Sequence, residues 1–235
     1  MQFAREVHRA RDLRMRLCRR IDFFVSVGTR ILYRYLEEHP DRRIYGFNTA
    51  DLALTPEVRE MMHRPEGAHV DLNALEKKLD VIVDGWQSRV RDRLYELIGG
   101  QMKSGAAEEV DPLELATTMF RCNKCNETCL RFPAVLSHKC QRPDYMEWQQ
   151  DAWEDIVRRR NGLRGRLGNP DIGFALSLAL SRCKYLEPAY QIVRLCGMEP
   201  AVATSEQMDA LDVRLVQGDV IMTWSAAVST ALRTI

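Results

Sequence analysis

Four of the seven cysteines and one of the five histidines fall between Phe120 and Cys140. Thiolates and an imidazole gathered at short spacing are the donor set of a tetrahedral zinc ion. Cys122 and Cys125, two residues apart, form a knuckle that can grip one side of the metal, and twelve residues separate Cys125 from His138. That interval matches a two-Cys two-His finger, in which a hairpin carries the first pair and a helix carries the histidine. Phe120 and Val135 occupy apolar positions of such a finger, and Cys129 stands where an aromatic is usual.

The last ligand departs from the finger pattern. Cys140 follows His138 by two, and residues two apart on a helix point about 200° away from each other. Pro143 disfavours helical geometry at Arg142, so the chain is expected to leave its helix near His138 and turn Cys140 back to the metal. The expected ligands are Cys122, Cys125, His138 and Cys140, holding one structural zinc ion. The competing set takes Cys129 in place of Cys140, and the plain alternative is a group of reduced, buried thiols. With four protein ligands no position stays open for water, which zinc catalysis requires.

The elements that must position this cluster read as helices. Phe3, Val7, Ala10, Leu17, Ile21, Phe24, Ile31 and Tyr35 recur every three or four residues and predict one long amphipathic helix ending before Pro40. Thr55-Pro56 starts a short helix. Asp71 caps another, with a stripe from Leu72 to Leu97, that Gly99-Gly100 closes. Residues 101–110 are the expected linker. Asp111-Pro112-Leu113-Glu114 reads as a capping-box start for a helix running into Phe120. Beyond the cluster, Pro143-Asp144 opens a helix with Tyr145, Trp148, Ala152 and Ile156 on its stripe, ending near Gly162, and Asn169-Pro170 precedes a fully apolar helix over Phe174–Leu180. Pro188–Cys196 is a short helix closed by Gly197, Thr204 with Gln207 caps another, residues 213–223 form a hairpin around Gln217-Gly218, and a last helix runs from Trp224 to Leu232. The fold class is therefore mainly α: a multi-helix globular chain with a small zinc-binding ββα-like module and a short C-terminal hairpin. Its expected domains are a helical region over 1–110, the zinc module with its anchoring helix over 111–143, and a C-terminal helical region over 144–235.

Composition narrows the setting. A chain of 235 residues, 46% hydrophobic and 29% charged, is an ordinary globular protein. No apolar run approaches the roughly 18 residues that a membrane span needs, and no membrane partner is expected. The N-terminus lacks the apolar core of a secretory signal, and Glu6, Asp12 and Asp22 break the pattern of a mitochondrial presequence. These features predict an intracellular protein, in the cytoplasm or nucleus, whose clustered cysteines mean metal more than disulfides. Charge is uneven: residues 1–43 hold eleven basic and six acidic groups, residues 44–121 nine and fourteen.

A family resemblance rests on several stretches. Phe120–Cys140 with its Leu-Arg-Phe-Pro-Ala-Val-Leu-Ser-His core, Cys196–Pro200, Thr204, Met208–Asp212 and Met222–Val228 resemble a group of uncharacterised basidiomycete fungal proteins, many of which begin with an F-box. The likeness covers most of the chain, although the F-box has no counterpart in it. It implies a protein-binding role, as the substrate-side part of an F-box-type ubiquitin-ligase adaptor. In that family the final hairpin looks like a second zinc module; here Val216 passes straight into Gln217-Gly218 without cysteines, and Ser229 stands where its histidine is expected. The comparison implies a shortened or degenerate module and a C-terminal tail of doubtful independent stability.

No enzyme signature is present: the chain has no metalloprotease His-Glu-x-x-His, phosphate loop, nucleophile elbow or dinucleotide fingerprint. The chain is expected to be non-enzymatic and to bind a protein partner. Cys18, Cys183 and Cys196 fall on apolar stripes and read as core thiols, and His8, His39, His63 and His69 are scattered without ligand spacing. Arg158, Arg159, Arg160, Arg164 and Arg166, interleaved with glycines, read as a solvated connection, with phosphate binding or nuclear import as the sharper alternatives. Nucleic-acid binding is the runner-up function. Against it, residues 133–137 offer Ala, Val and Leu where a base reader needs Arg, Asn or Gln.

Overall fold

A computed structural model describes residues 2–65, 68, 71–99, 110–141, 152–157 and 179–233. Helix α1 spans Gln2–Glu38, followed by α2 (Pro40–Arg43), α3 (Thr49–Ala53), α4 (Pro56–His63), α5 (Leu72–Glu76) and α6 (Leu79–Ile98). Residues 152–157 belong to α7. The remaining helices among the described residues are α8 (Glu187–Leu195), α9 (Ser205–Ala210) and α10 (Trp224–Arg233). Two small antiparallel sheets pair β1 (Phe120–Cys122) with β2 (Leu180–Arg182) and β3 (Arg214–Gln217) with β4 (Val220–Thr223). The fold is mainly α, as the periodicities predict.

The chain divides into two compact units, Met1–Ser88 with Gln141–Ser177, and Arg89–Cys140 with Leu178–Ile235. Each is assembled from separate stretches of sequence.

In the first unit α1 supplies the spine. Its apolar stripe is buried from Leu17 onward through Ile21 and Phe24 to Leu32, and α1 packs on α3, α4 and α5. Asn48 caps α3 with a complete capping box, accepting from the Ala50 and Asp51 amides while the Asp51 carboxylate accepts from the Asn48 amide. Thr55 and Pro56 start α4 as predicted, although the Thr55 hydroxyl donates backward to the Leu52 carbonyl at 2.8 Å instead of capping forward. Asp71 caps α5 through the Asn73 and Ala74 amides, but the single helix expected over Leu72–Leu97 is broken by a turn at Lys77-Lys78 into α5 and α6. Gly99 closes α6 at φ +68°, a left-handed conformation that glycine adopts without penalty.

The Trp153 indole is fully buried, and its N–H donates to the Ala53 carbonyl at 2.8 Å, which satisfies the one polar group that burial would otherwise penalise. Among residues 152–157, Trp153, Ile156 and Val157 are buried, whereas Ala152, expected on the inner stripe, is exposed. Tyr145, Trp148, the Pro143-Asp144 cap and Asn169-Pro170 lie outside the described residues, as do residues 174–178. Leu180, the expected end of an apolar helix, instead begins strand β2.

The second unit holds its own core, with Ala116, Met119, Ala189, Val193, Met208 and Trp224 among its members. Thr204 and Gln207 form the capping box that starts α9. The β3–β4 hairpin turns at Gly218, with φ +60°, as expected around Gln217-Gly218. Leu215 faces this core, and α10 packs Trp224, Val228 and Leu232 into it, so the tail is built into the unit.

The segment 111–119 corrects the sequence reading, because it contains turns and an isolated bridge where an anchoring helix is expected. The Asp111 carboxylate accepts from the Leu113 amide, from the Tyr95 hydroxyl at 2.7 Å and from Arg91. The backbone then pairs outward: the Ala116 amide donates to the Ala203 carbonyl, and the Ser205 amide to the Glu114 carbonyl. Groups that a helix would bond internally are committed to a distant strand-like stretch instead.

Candidate metal centre

The cluster is built on a tight hairpin. Phe120 and Leu130 exchange both backbone hydrogen bonds, at 2.8 and 3.1 Å, and inside them the Cys122 amide donates to Glu127 and the Asn126 amide to Cys122. Asn126 takes φ +59°, a left-handed turn that asparagine tolerates better than most residues. The outer edge of β1 pairs with β2, placing Cys122 opposite Leu180 and burying its thiol. Two of the four side chains are thus fixed by a hairpin, as in the finger pattern.

The other two come from a different device. Residues 134–137 form a single 3-10 turn, not the α-helix expected of a ββα finger, with Val135 and Leu136 buried. His138 then leaves that turn at φ −63°, ψ 128°, and a second 3-10 turn, Lys139–Gln141, carries Cys140. The extended backbone at His138 removes the opposition of directions that an unbroken helix would impose, which matches the expected exit from helical geometry.

Cys122, Cys125, His138 and Cys140 come together, their ligand atoms all within 4.8 Å of one another. Among the described residues this is the one Cys, His, Asp and Glu group so arranged. The Cys125 thiol lies 3.2 Å from His138 Nε2, and the Lys124 amide donates to Cys122 Sγ at 3.4 Å, the contact that a knuckle uses to stabilise thiolate. A zinc tetrahedron with sulfur bonds of about 2.3 Å has edges near 3.8 Å, so small side-chain shifts, apart for the Cys125–His138 pair and together for wider ones, would seat the four donors on one ion. Three thiols and an imidazole fit zinc in softness and number.

Electrostatics divide the thiols. Burial opposes ionisation of Cys122, but the amides of Cys125 and Lys124, with the Cys125 and Cys140 thiols, hold it below the ordinary cysteine value. Cys140 is pushed up to about 11, first by desolvation and then by its Cys125 and Cys122 neighbours. Proton sharing of this kind is what a cation at the centre would replace.

Cys129, the alternate ligand, is not part of the group. It adopts φ +65°, its thiol sits 3.7 Å from the Thr128 hydroxyl, and it packs against the core of the second unit. Cys183 is buried, while Cys18 and Cys196 are partly so, with burial raising the Cys196 thiol. The His8 ring lies 3.5 Å from Asp12, the His39 ring stacks on Tyr35, and the His63 ring meets the edge of Trp153. His69 and the arginines from Arg158 to Arg166 lie outside the described residues.

Two supporting arginines escaped the sequence reading. Arg131 stacks 4.2 Å over the Trp224 ring and bonds the Ser225 hydroxyl, and Trp224 Nε1 donates to Asp209 at 2.8 Å. Arg91 lies 5.1 Å over the Phe132 ring while holding Asp111. The one signal in the sequence is that Arg131 interrupts an apolar run between Leu130 and Phe132, where a charge persists only if it is partnered.

The chain was compared with family models, curated proteins and solved structures, and nothing matches it.

Proposed function

We propose that the chain is a non-enzymatic, zinc-stabilised protein-interaction module, the substrate-side part of an F-box-type adaptor. The observation that carries the reading is the convergence of Cys122, Cys125, His138 and Cys140 on one centre. Four protein donors complete a tetrahedron and leave no place for a reactive water. One zinc ion would then act by holding the β1 hairpin to the 3-10 turns, and such sites contribute on the order of 10 kcal/mol of folding free energy. The likeness of the Phe120–Cys140 and Met222–Val228 stretches to fungal F-box-containing proteins supports the adaptor role.

The nucleic-acid reading has less behind it. A base-reading finger lays an exposed helix in the major groove, whereas the corresponding turn here is four residues long and buries Val135 and Leu136.

The deciding measurement is zinc per chain by elemental mass spectrometry, on protein purified without a metal-affinity tag, beside a Cys122→Ser variant. One zinc, lost in the variant, is expected; a metal-free native chain would overturn the reading. Pull-downs with the two proteins test the interaction role, which requires specific protein partners held by the zinc-loaded chain and released by the variant.

A further inference from the structure

The first turns of α1 carry the same apolar stripe as its core-facing half without burying it. At 100° per residue, Phe3, Val7 and Ala10 share the face that Leu17, Ile21 and Phe24 turn inward. Yet Phe3 is 79% exposed and Val7 52%. Seven arginines and two acidic residues lie between Gln2 and Arg20. Two of these arginines are engaged inside the first unit: Arg14 reaches Asp155 at 3.2 Å, and Arg20 donates to the carbonyls of Met62, Arg64 and Pro65. Arg5, Arg9 and Arg11 are exposed and have no acidic partner among the described residues. Arg11 flanks the apolar face, and Arg5 and Arg9 lie across the helix from it.

We propose that this exposed half of α1 docks on an anionic lipid surface, lying in the interface with Phe3 and Val7 inserted and the arginines among the headgroups. A helix that joins an apolar stripe to an arginine-rich polar face, at low overall hydrophobicity, has the composition of an interfacial helix. It needs no membrane-spanning segment. Charge complementarity selects an anionic partner and disfavours a second copy of the chain, whose equally basic turns would repel it. Nucleic acid would satisfy the arginines and leave Phe3 and Val7 wet, whereas an anionic bilayer surface takes both. The helix is about 10 Å across, so even the arginines on its far side stay within about one and a half Debye lengths of the surface at physiological salt.

The test is flotation of the full chain with vesicles of phosphatidylcholine alone, or of phosphatidylcholine mixed with phosphatidylserine, over a salt series. Binding is expected only to the mixed vesicles and is expected to fall with salt. Each basic residue near such a surface contributes about 1 kcal/mol, so replacing Arg5, Arg9 and Arg11 together by Gln should weaken binding on the order of 100-fold. Phe3→Ser with Val7→Ser should weaken it about tenfold or more. These side chains are exposed, so circular dichroism of both variants should match the parent. The proposal is overturned by absence of binding, by equal binding to neutral vesicles, or by binding indifferent to Phe3 and Val7 while duplex DNA is held with the same salt dependence. Zinc content plays no part in the measurement, so its outcome is separate from that of the metal site.

Discussion

Arg131 sits over Trp224, its guanidinium carbon 4.2 Å from the ring centroid, and joins the segment after the Cys122 hairpin to the first turn of α10. Burial lowers the Arg131 pKa, and the Asp209 carboxylate, with Cys129 behind it, works the other way. Asp209 also accepts from the Trp224 indole. One carboxylate therefore stabilises both partners of the stack.

Removing that carboxylate should cost more than removing the arginine. Asp209→Ala takes the nearby counter-charge from a half-buried cation and the acceptor from the buried Trp224 indole, a change worth about 1 to 2 kcal/mol, whereas Arg131→Met replaces the cation with apolar bulk and should cost less than that. Denaturant unfolding of the zinc-loaded variants measures both. If Arg131→Met proves the more damaging, the stack holds chiefly through the cation and not through Asp209.

Ligand choice is decided by zinc content. Cys122→Ser and Cys140→Ser should lose the ion, and Cys129→Ser should keep it, because Cys129 packs on the core and away from the four converging side chains. A Cys129→Ser protein that loses zinc while remaining folded would restore the alternate ligand set.

Chelation should act locally. Withdrawing a bound ion would remove on the order of 10 kcal/mol from the hairpin and its 3-10 turns, so the amides of Phe120, Cys122 and Leu130, which close the hairpin, should lose protection from hydrogen exchange. Amides around Leu17, Ile21 and Phe24 should keep theirs, since that core contains none of the ligands. Uniform loss across both sets would show that the first unit depends on the metal as well.

Alkaline stability should report on α1. Burial, then the hydrogen bond to Asp80 at 2.8 Å, raises the Tyr35 phenol well above its ordinary value of 10, and nearby Arg42 only partly offsets this. A raised folded-state value means that the contribution is complete below pH 10 and is lost as pH climbs toward the folded value. Stability should fall above pH 10, with a shallower slope in Tyr35→Phe. An identical slope in the variant would assign the loss to other groups.

Asn48 offers a plain test of local structure. Asn48→Ala deprives the Ala50 and Asp51 amides of their acceptor at the start of buried helix α3, and should cost about 1 to 2 kcal/mol in thermal or denaturant unfolding. A cost near zero would mean that water replaces the cap.

Signals that act over a few residues were legible in the sequence. The α1 stripe, the Thr204-Gln207 capping box, the glycine ends at Gly99 and Gly197, the Gly218 turn and the gathering of the four ligands all depend on spacing that a short window contains. The failures came where distant backbone claims a segment. Asp111 to Phe120 has helical start signals, yet the Ala203–Ser205 stretch takes its hydrogen bonds and Tyr95 and Arg91 take its cap. Leu180 reads as part of a helix in an apolar run and becomes strand because β1 presents an open edge. The Arg131–Trp224 stack joins residues too far apart in sequence for any periodicity to link them.

The pairing of β1 with β2 also sets an order of events during synthesis. All four ligand side chains leave the ribosome before Leu180 does, so a nascent chain can close its hairpin on the ion while the Cys122 edge is still bare. Local closure of this kind is fast, and pairing across a long loop is slow. An ion bound there would act as a placeholder, keeping an unpaired strand edge in register, and away from other nascent chains, until its own partner strand is made.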